Sequence, residues 1–81
     1  MIKGRILVVD DEHTILDTCG QKLEQFGYDV RLHSKGSDGI ESVRNGTFDL
    51  ALIDLGLPDM DGLNLHRELR SIDENLVAVM I

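Results

Sequence analysis

Asp10 and Asp11 follow an apolar run at residues 6–9 (ILVV), and Asp54 follows a second one at residues 50–53, inside the stretch "LALIDLGLPDMDGL". A carboxylate at the mouth of a buried strand is costly to desolvate unless something uses it. Two carboxylates about 4 Å apart repel by roughly 4 kcal/mol at an effective dielectric near 20, so a cluster of them either raises a pKa or recruits a cation. Oxygen-only ligation that keeps several waters suits Mg²⁺, held by one or two carboxylates and completed by a phosphate oxygen. Such an ion would neutralise charge on an incoming phosphoryl group and let Asp54 act as a nucleophile toward phosphorus. Gly56 has no side chain to block the crevice and leaves its backbone carbonyl free to approach a metal. Pro58 stiffens the exit of the loop, and Gly62 is expected to take a φ that other residues resist. Asp59 and Asp61 read as turn and capping residues rather than ligands.

These carboxylates meet only if the two apolar runs lie side by side. The first, in "RILVVDDE", is rich in β-branched residues and ended by charge, as in a parallel strand buried on both faces. Ile15, Cys19, Leu23 and Phe26 recur at helical steps and predict one face of a helix stopped by Gly27 at the C′ position. "YDVRLH", residues 28–33, alternates Tyr28, Val30 and Leu32 with polar residues, the period of an edge strand. Ser34 and Ser37 are N-cap candidates for a second helix with Ile40 and Val43 inward, ending at Asn45 and Gly46. Residues 50–53 form the third strand, a helix with Leu65, Leu69 and Ile72 on one face follows, and "NLVAVMI", residues 75–81, begins a fourth strand of the buried type.

The order βαβαβαβ with short connections predicts an α/β fold with a parallel sheet and helices on both faces. Strand order 2-1-3-4, borrowed from flavodoxin-like doubly wound folds, would put the ligand crevice at the carboxyl ends of strands 1 and 3. Asp10, Asp11 and Asp54 would then converge.

Eighty-one residues make one small domain at most. Hydrophobic residues at 42% and charged residues at 28% lie in the globular range, which excludes disordered, collagenous and mucin-like classes. Fifteen acids against eight bases give a net charge of -7, which opposes direct binding to nucleic acid or an anionic membrane and favours a cationic or metal-bearing partner. Aromatics at 4%, with no Trp, leave little for base stacking. Cys19 is the single cysteine, so no intrachain disulfide forms, and it reads as a small core residue. His13, His33 and His66 share no metal-ligand spacing with it or with each other, and Lys3 and Arg5 merely flank the first strand. The apolar part of "MIKGRILVV" is too short for an export signal, and no stretch approaches the roughly 18 apolar residues of a membrane span, so a soluble, cytoplasmic protein is expected.

"ILVVDDE" together with "LALIDLGLPDMDGL" resembles the receiver domain of two-component response regulators, and the similarity extends through "SKGSDGIESVRNGTFDL" to the whole chain. The resemblance implies that Asp54 is the phosphoacceptor. It implies Asp11 and the Gly56 carbonyl as direct Mg²⁺ ligands, and Asp10 as a ligand through water or a positioner of it. The implied donor is a phosphohistidine on a sensor histidine kinase, or a small phosphodonor. The domain would assist its own phosphorylation and dephosphorylation without being an enzyme for a diffusing substrate, and would regulate an output domain outside this chain.

The family also places a Ser or Thr after strand 4 and a Lys at the end of strand 5, and neither falls within residues 1–81. The chain is therefore expected to be the N-terminal part of a single receiver domain, with an uncovered fourth strand that drives self-association. Two rival readings remain. An aspartate-based phosphohydrolase also uses an Asp after a parallel strand, but wants a second Asp two residues on, where this chain has Gly56, and Glu12 after Asp10. The other rival is an acidic-pocket binding or interaction module that is never phosphorylated.

Overall fold

Apolar residues on both faces bury a strand, and in the computed structural model, which describes residues 2–81, positions 6–9 fill β1 (Arg5–Val9) at no more than 4% exposure each. Around it lie α1 (His13–Gln25), β2 (Asp29–His33), α2 (Gly36–Asn45), β3 (Leu50–Ile53), α3 (Gly62–Ile72) and β4 (Val77–Met80). All pairings are parallel and the sheet order is β2-β1-β3-β4. The register sets Val9 opposite Ile53, so β1 and β3 end level. Whatever follows each strand therefore emerges at the same height.

Successive side chains on a strand point to opposite faces, and two cores result. Leu7, Val9, Ala51 and Ile53 pack with Ile40 and Val43 of α2 and Leu65 and Leu69 of α3. Ile6, Val8 and Val30 pack on the other face with Leu16 of α1. The inward assignments of Ile40, Val43, Leu65 and Leu69 hold; Ile72, in the last turn of α3, is 37% exposed.

Helix α1 ends as its sequence predicts. Gly27 adopts φ 96°, the Tyr28 N–H donates to the Leu23 carbonyl at 3.1 Å, and the Gly27 N–H donates to Glu24 at 3.0 Å. This is a Schellman closure, and glycine alone takes its left-handed residue without strain. The buried line of α1 differs from the expected one. Leu16 and Gly20 face the sheet, Cys19 and Leu23 are half-buried, and Ile15 and Phe26 are exposed. Gly20 explains the rotation: a Cβ there would stand 2.9 Å from Leu32 Cδ1, so the helix rests its backbone on β2 and turns Ile15 and Phe26 to its flank.

β4 corrects the expectation of a fully buried strand at 75–81. It runs Val77–Met80, because the Asp73 carboxylate accepts the Asn75 N–H at 3.0 Å and holds residues 73–75 in a turn. Ala78 and Met80 pack on the α2/α3 core, whereas Val77 and Val79 are 58% and 44% exposed. In register these two stand opposite Leu50 and Leu52, on the α1 side of the sheet, where no described helix reaches them. Among the described residues, no helix is long and apolar enough to cross a membrane.

Candidate functional site

Because β1 and β3 end level, their next residues are neighbours. The Asp54 N–H donates to the Val9 carbonyl at 2.9 Å, and the Asp10 N–H to the His33 carbonyl at 3.0 Å, so the ladder extends one step past the strands. Asp10, Asp11 and Asp54 each offer a carboxylate oxygen, and those oxygens lie within 4.8 Å of one another. Asp10 is buried, Asp54 half-buried and Asp11 exposed, so the cluster forms a funnel open to solvent. Among the described residues it is the one group of three or more such side chains spaced to hold a metal. The His13, His33, His66 and Cys19 side chains take no part; His33 Nε2 instead lies 2.6 Å from Ser42 Oγ.

Oxygens bound to one Mg²⁺ at about 2.1 Å stand at most about 4.2 Å apart. A cluster spanning up to 4.8 Å thus fits one such ion after a small side-chain rotation, or with one carboxylate acting through water. The donors are hard, anionic oxygens, which suit Mg²⁺ better than a thiolate- or imidazole-seeking metal.

Burial first, and then its acidic neighbours, perturb Asp10. Burial raises its pKa first of all; the Glu12 N–H, donating to Oδ1 at 3.0 Å, offsets part of this, and the negative charges of Asp54 and Asp11 raise it further. Because the folded value is raised, the stability this carboxyl contributes is fully present below its ordinary value of 3.8 and is lost as pH rises through the raised value. Where it is ionised, the group therefore opposes folding. Asp10→Asn should raise the Tm of the metal-free protein at pH 7, with the advantage fading below the ordinary carboxylate range. Paired melting curves at the two pH values check it; equal melting temperatures at pH 7 would show that the crowding is harmless.

The loop after Asp54 is tightly folded. The Gly56 N–H donates to Asp54 Oδ1 at 3.3 Å, Gly56 bridges Asp61, and the Gly62 N–H donates to the Leu55 carbonyl at 2.9 Å. A Cβ on Gly56 would meet nothing within 4 Å, so this backbone lies open. Gly62 corrects the sequence reading. Among the described residues only Gly27 has a positive φ, and Gly62 is needed for room: a Cβ there would sit 2.5 Å from the Asp54 carbonyl oxygen.

The capping roles divide. Asp61 Oδ1 accepts the Leu63 N–H at 2.7 Å and caps α3. Neither Ser34 nor Ser37 caps α2: the N-cap position is Lys35, whose side chain makes no capping bond. Asp59 serves instead, taking the Gly36 N–H on Oδ1 at 2.8 Å and the Ser37 N–H on Oδ2 at 3.0 Å. The sequence marks Asp59 as a capping type but not which helix it caps, because its partner lies in another unit of the chain.

The sequence and the fold have counterparts among known proteins. A family model described as the response regulator receiver domain matches residues 6–81. All 81 residues align at 35% identity with 36% of the uncharacterized transcriptional regulatory protein YkoG of Bacillus subtilis. Sixty-six residues, 82% of the chain, align at 38% identity with 30% of the response regulator ArlR of Staphylococcus saprophyticus. The chain spans about a third of the length of these relatives. Among solved structures, a CheY-like receiver domain protein of Methanospirillum hungatei gives a TM-score of 0.94 at 38% identity, over 99% of this chain and 63% of that one. The response regulator TrrA of Thermotoga maritima, in complex with Mg²⁺ and BeF, gives 0.88 at 29% identity, over 99% and 68%. The parallel sheet ordered β2-β1-β3-β4 agrees with these structural matches, and the chain belongs to the response regulator receiver domain family.

Proposed function

We propose that this domain receives a phosphoryl group on Asp54 in a two-component signalling system and so regulates an output domain in a longer protein. The observation that carries the reading is the convergence of Asp10, Asp11 and Asp54 oxygens within 4.8 Å at the ends of two parallel strands. Asp11, Asp54 and the Gly56 carbonyl would hold Mg²⁺ directly, with Asp10 acting through water or positioning the ion. Bound there, the ion supplies positive charge for the phosphoryl oxygens. The half-buried Asp54 carboxylate provides the nucleophile: its oxygen forms a bond to phosphorus as the P–N bond to the donor imidazole breaks and the electron pair leaves with the nitrogen. The donor of that chemistry is a phosphohistidine of a sensor histidine kinase, or a small phosphodonor. A soluble, cytoplasmic setting follows from such a partner.

Residues 1–81 are read as the N-terminal part of one receiver domain, supported by the 63% and 68% of the two receiver structures that they cover. The acyl phosphate would hydrolyse in a reaction the domain assists, without turnover of a diffusing substrate. The test is intact mass after incubation with a small phosphodonor and Mg²⁺, on a chain extended through the rest of the domain. One hydroxylamine-labile phosphoryl group is expected. No adduct would favour the passive acidic-pocket module, and steady turnover of a phosphate ester would favour the phosphohydrolase.

The α1-side face of β4, where Val77 and Val79 lie exposed beside the half-buried Leu50 and Leu52, should make the 81-residue chain self-associate. Light scattering at increasing concentration checks this, with growth in mass expected; a strict monomer contradicts it.

A further inference from the structure

We propose that Asp59 is a positioning residue for this site, fastening the loop that carries Gly56 to the amino end of α2; the inference rests on the phosphoacceptor reading above. Two backbone donors of α2 are taken by the two oxygens of one carboxylate that lies 23 and 22 residues away in sequence. Charge-assisted bonds of this kind are among the stronger ones a loop can make, and the positive end of the helix adds to them. A cap serving α2 alone needs only a Ser, Thr, Asn or Asp at position 35, where this chain has Lys35. The cap comes instead from the loop beside the acidic cluster.

The neighbouring residue repeats the contact. Met60 lies over Gly36, where an added Cβ would fall 2.6 Å from Met60 Cγ, so residues 59 and 60 both seat on the first turn of α2. The loop behind them is closed on itself by the Gly56–Asp61 bridge and by the Gly62 bond to Leu55. Fixing residue 59 therefore fixes residue 56. The other side of the funnel is held through the same segment: Asp10 bonds to the His33 carbonyl, and His33 lies three residues before Gly36. With the Asp54 bond to Val9, these links form a closed circuit of contacts joining the ends of β1, β2 and β3 to the loop after Asp54, and Asp59 supplies the closing contact. Backbone donation from Ser37 and Gly36 holds the Asp59 carboxyl below its ordinary range, which keeps it anionic as the contact requires.

Groups that hold metal ligands in place typically cost 10–100-fold in affinity when removed. Asp59→Ala is expected to weaken Mg²⁺ binding by about tenfold, and Asp59→Asn, which keeps one acceptor oxygen, by less. Loss of a helix cap alone would also lower stability, so a second substitution separates the roles. Lys35→Ser, which by itself should leave Mg²⁺ affinity unchanged, gives α2 a local cap without tying it to the loop. In the Asp59→Ala, Lys35→Ser double variant, Tm should recover while Mg²⁺ affinity and phosphorylation rate stay low. Recovery of both together would reduce Asp59 to an ordinary cap and overturn the proposal, as would wild-type affinity in Asp59→Ala. Failure of the unsubstituted protein, in the chain extended through the rest of the domain, to bind Mg²⁺ or accept phosphate would instead overturn the phosphoacceptor reading, and this proposal with it.

Discussion

Asp54→Asn is expected to abolish phosphoryl acceptance, on the proposed role of Asp54, while leaving the fold intact. The amide has nearly the shape of the carboxylate, and its oxygen can still accept the Gly56 N–H that Asp54 Oδ1 now takes at 3.3 Å. The backbone bond from residue 54 to the Val9 carbonyl does not involve the side chain. What disappears is the anionic oxygen, and an amide is no nucleophile toward phosphorus. One negative charge also leaves a crowded cluster, so the variant should melt no lower than the parent protein. Intact mass and hydroxylamine lability are the readouts. A labile adduct of equal yield on the Asp54→Asn variant would assign the chemistry to another residue.

Leu65→Ala carries the largest expected loss of stability. Leu65 is fully buried on the face of α3 that packs with Val9 and Ile53, the last residues before Asp10 and Asp54. Truncating a leucine in such a position costs about 2–5 kcal/mol, transfer and cavity terms together. At about 0.05–0.15 kcal/mol per residue, a domain of this size holds only about 4–12 kcal/mol in total. The variant should therefore unfold at markedly lower urea, and any folded fraction should bind Mg²⁺ less well because α3 and its capped loop lose their seat. Leu63→Ala, two residues earlier and 58% exposed, is the contrast and should change stability by no more than about 0.5 kcal/mol. Equal losses at 63 and 65 would contradict the packing described for α3.

The strands were legible because their signals are local, whereas their order came from the analogy with doubly wound folds. Continuous apolar runs ended by charge marked β1 and β3, and Gly27 marked the end of α1 through a backbone angle that side-chain-bearing residues avoid. The acidic triad was legible once those strands were set in parallel, since register alone brings residues 10 and 54 together. Long-range fit was not legible. The rotation of α1 depends on Gly20 meeting Leu32, and the need for Gly62 depends on the Asp54 carbonyl passing close by. The exposure of Val77 and Val79 depends on which helices cover β4, which periodicity within β4 does not encode. Asp59 belongs with these: its residue type suits a cap, but the helix it serves is chosen by the tertiary fold.

A titration with Mn²⁺ in place of Mg²⁺, followed by paramagnetic broadening of backbone amide signals, tests most directly whether one ion sits among the three carboxylates. Amides of residues 10, 11 and 54–56 should broaden first and together, Mg²⁺ should restore them, and Asp11→Ala should abolish the effect. Broadening that begins at other acidic residues, or that reaches 10–11 and 54–56 at different concentrations, would contradict a shared site.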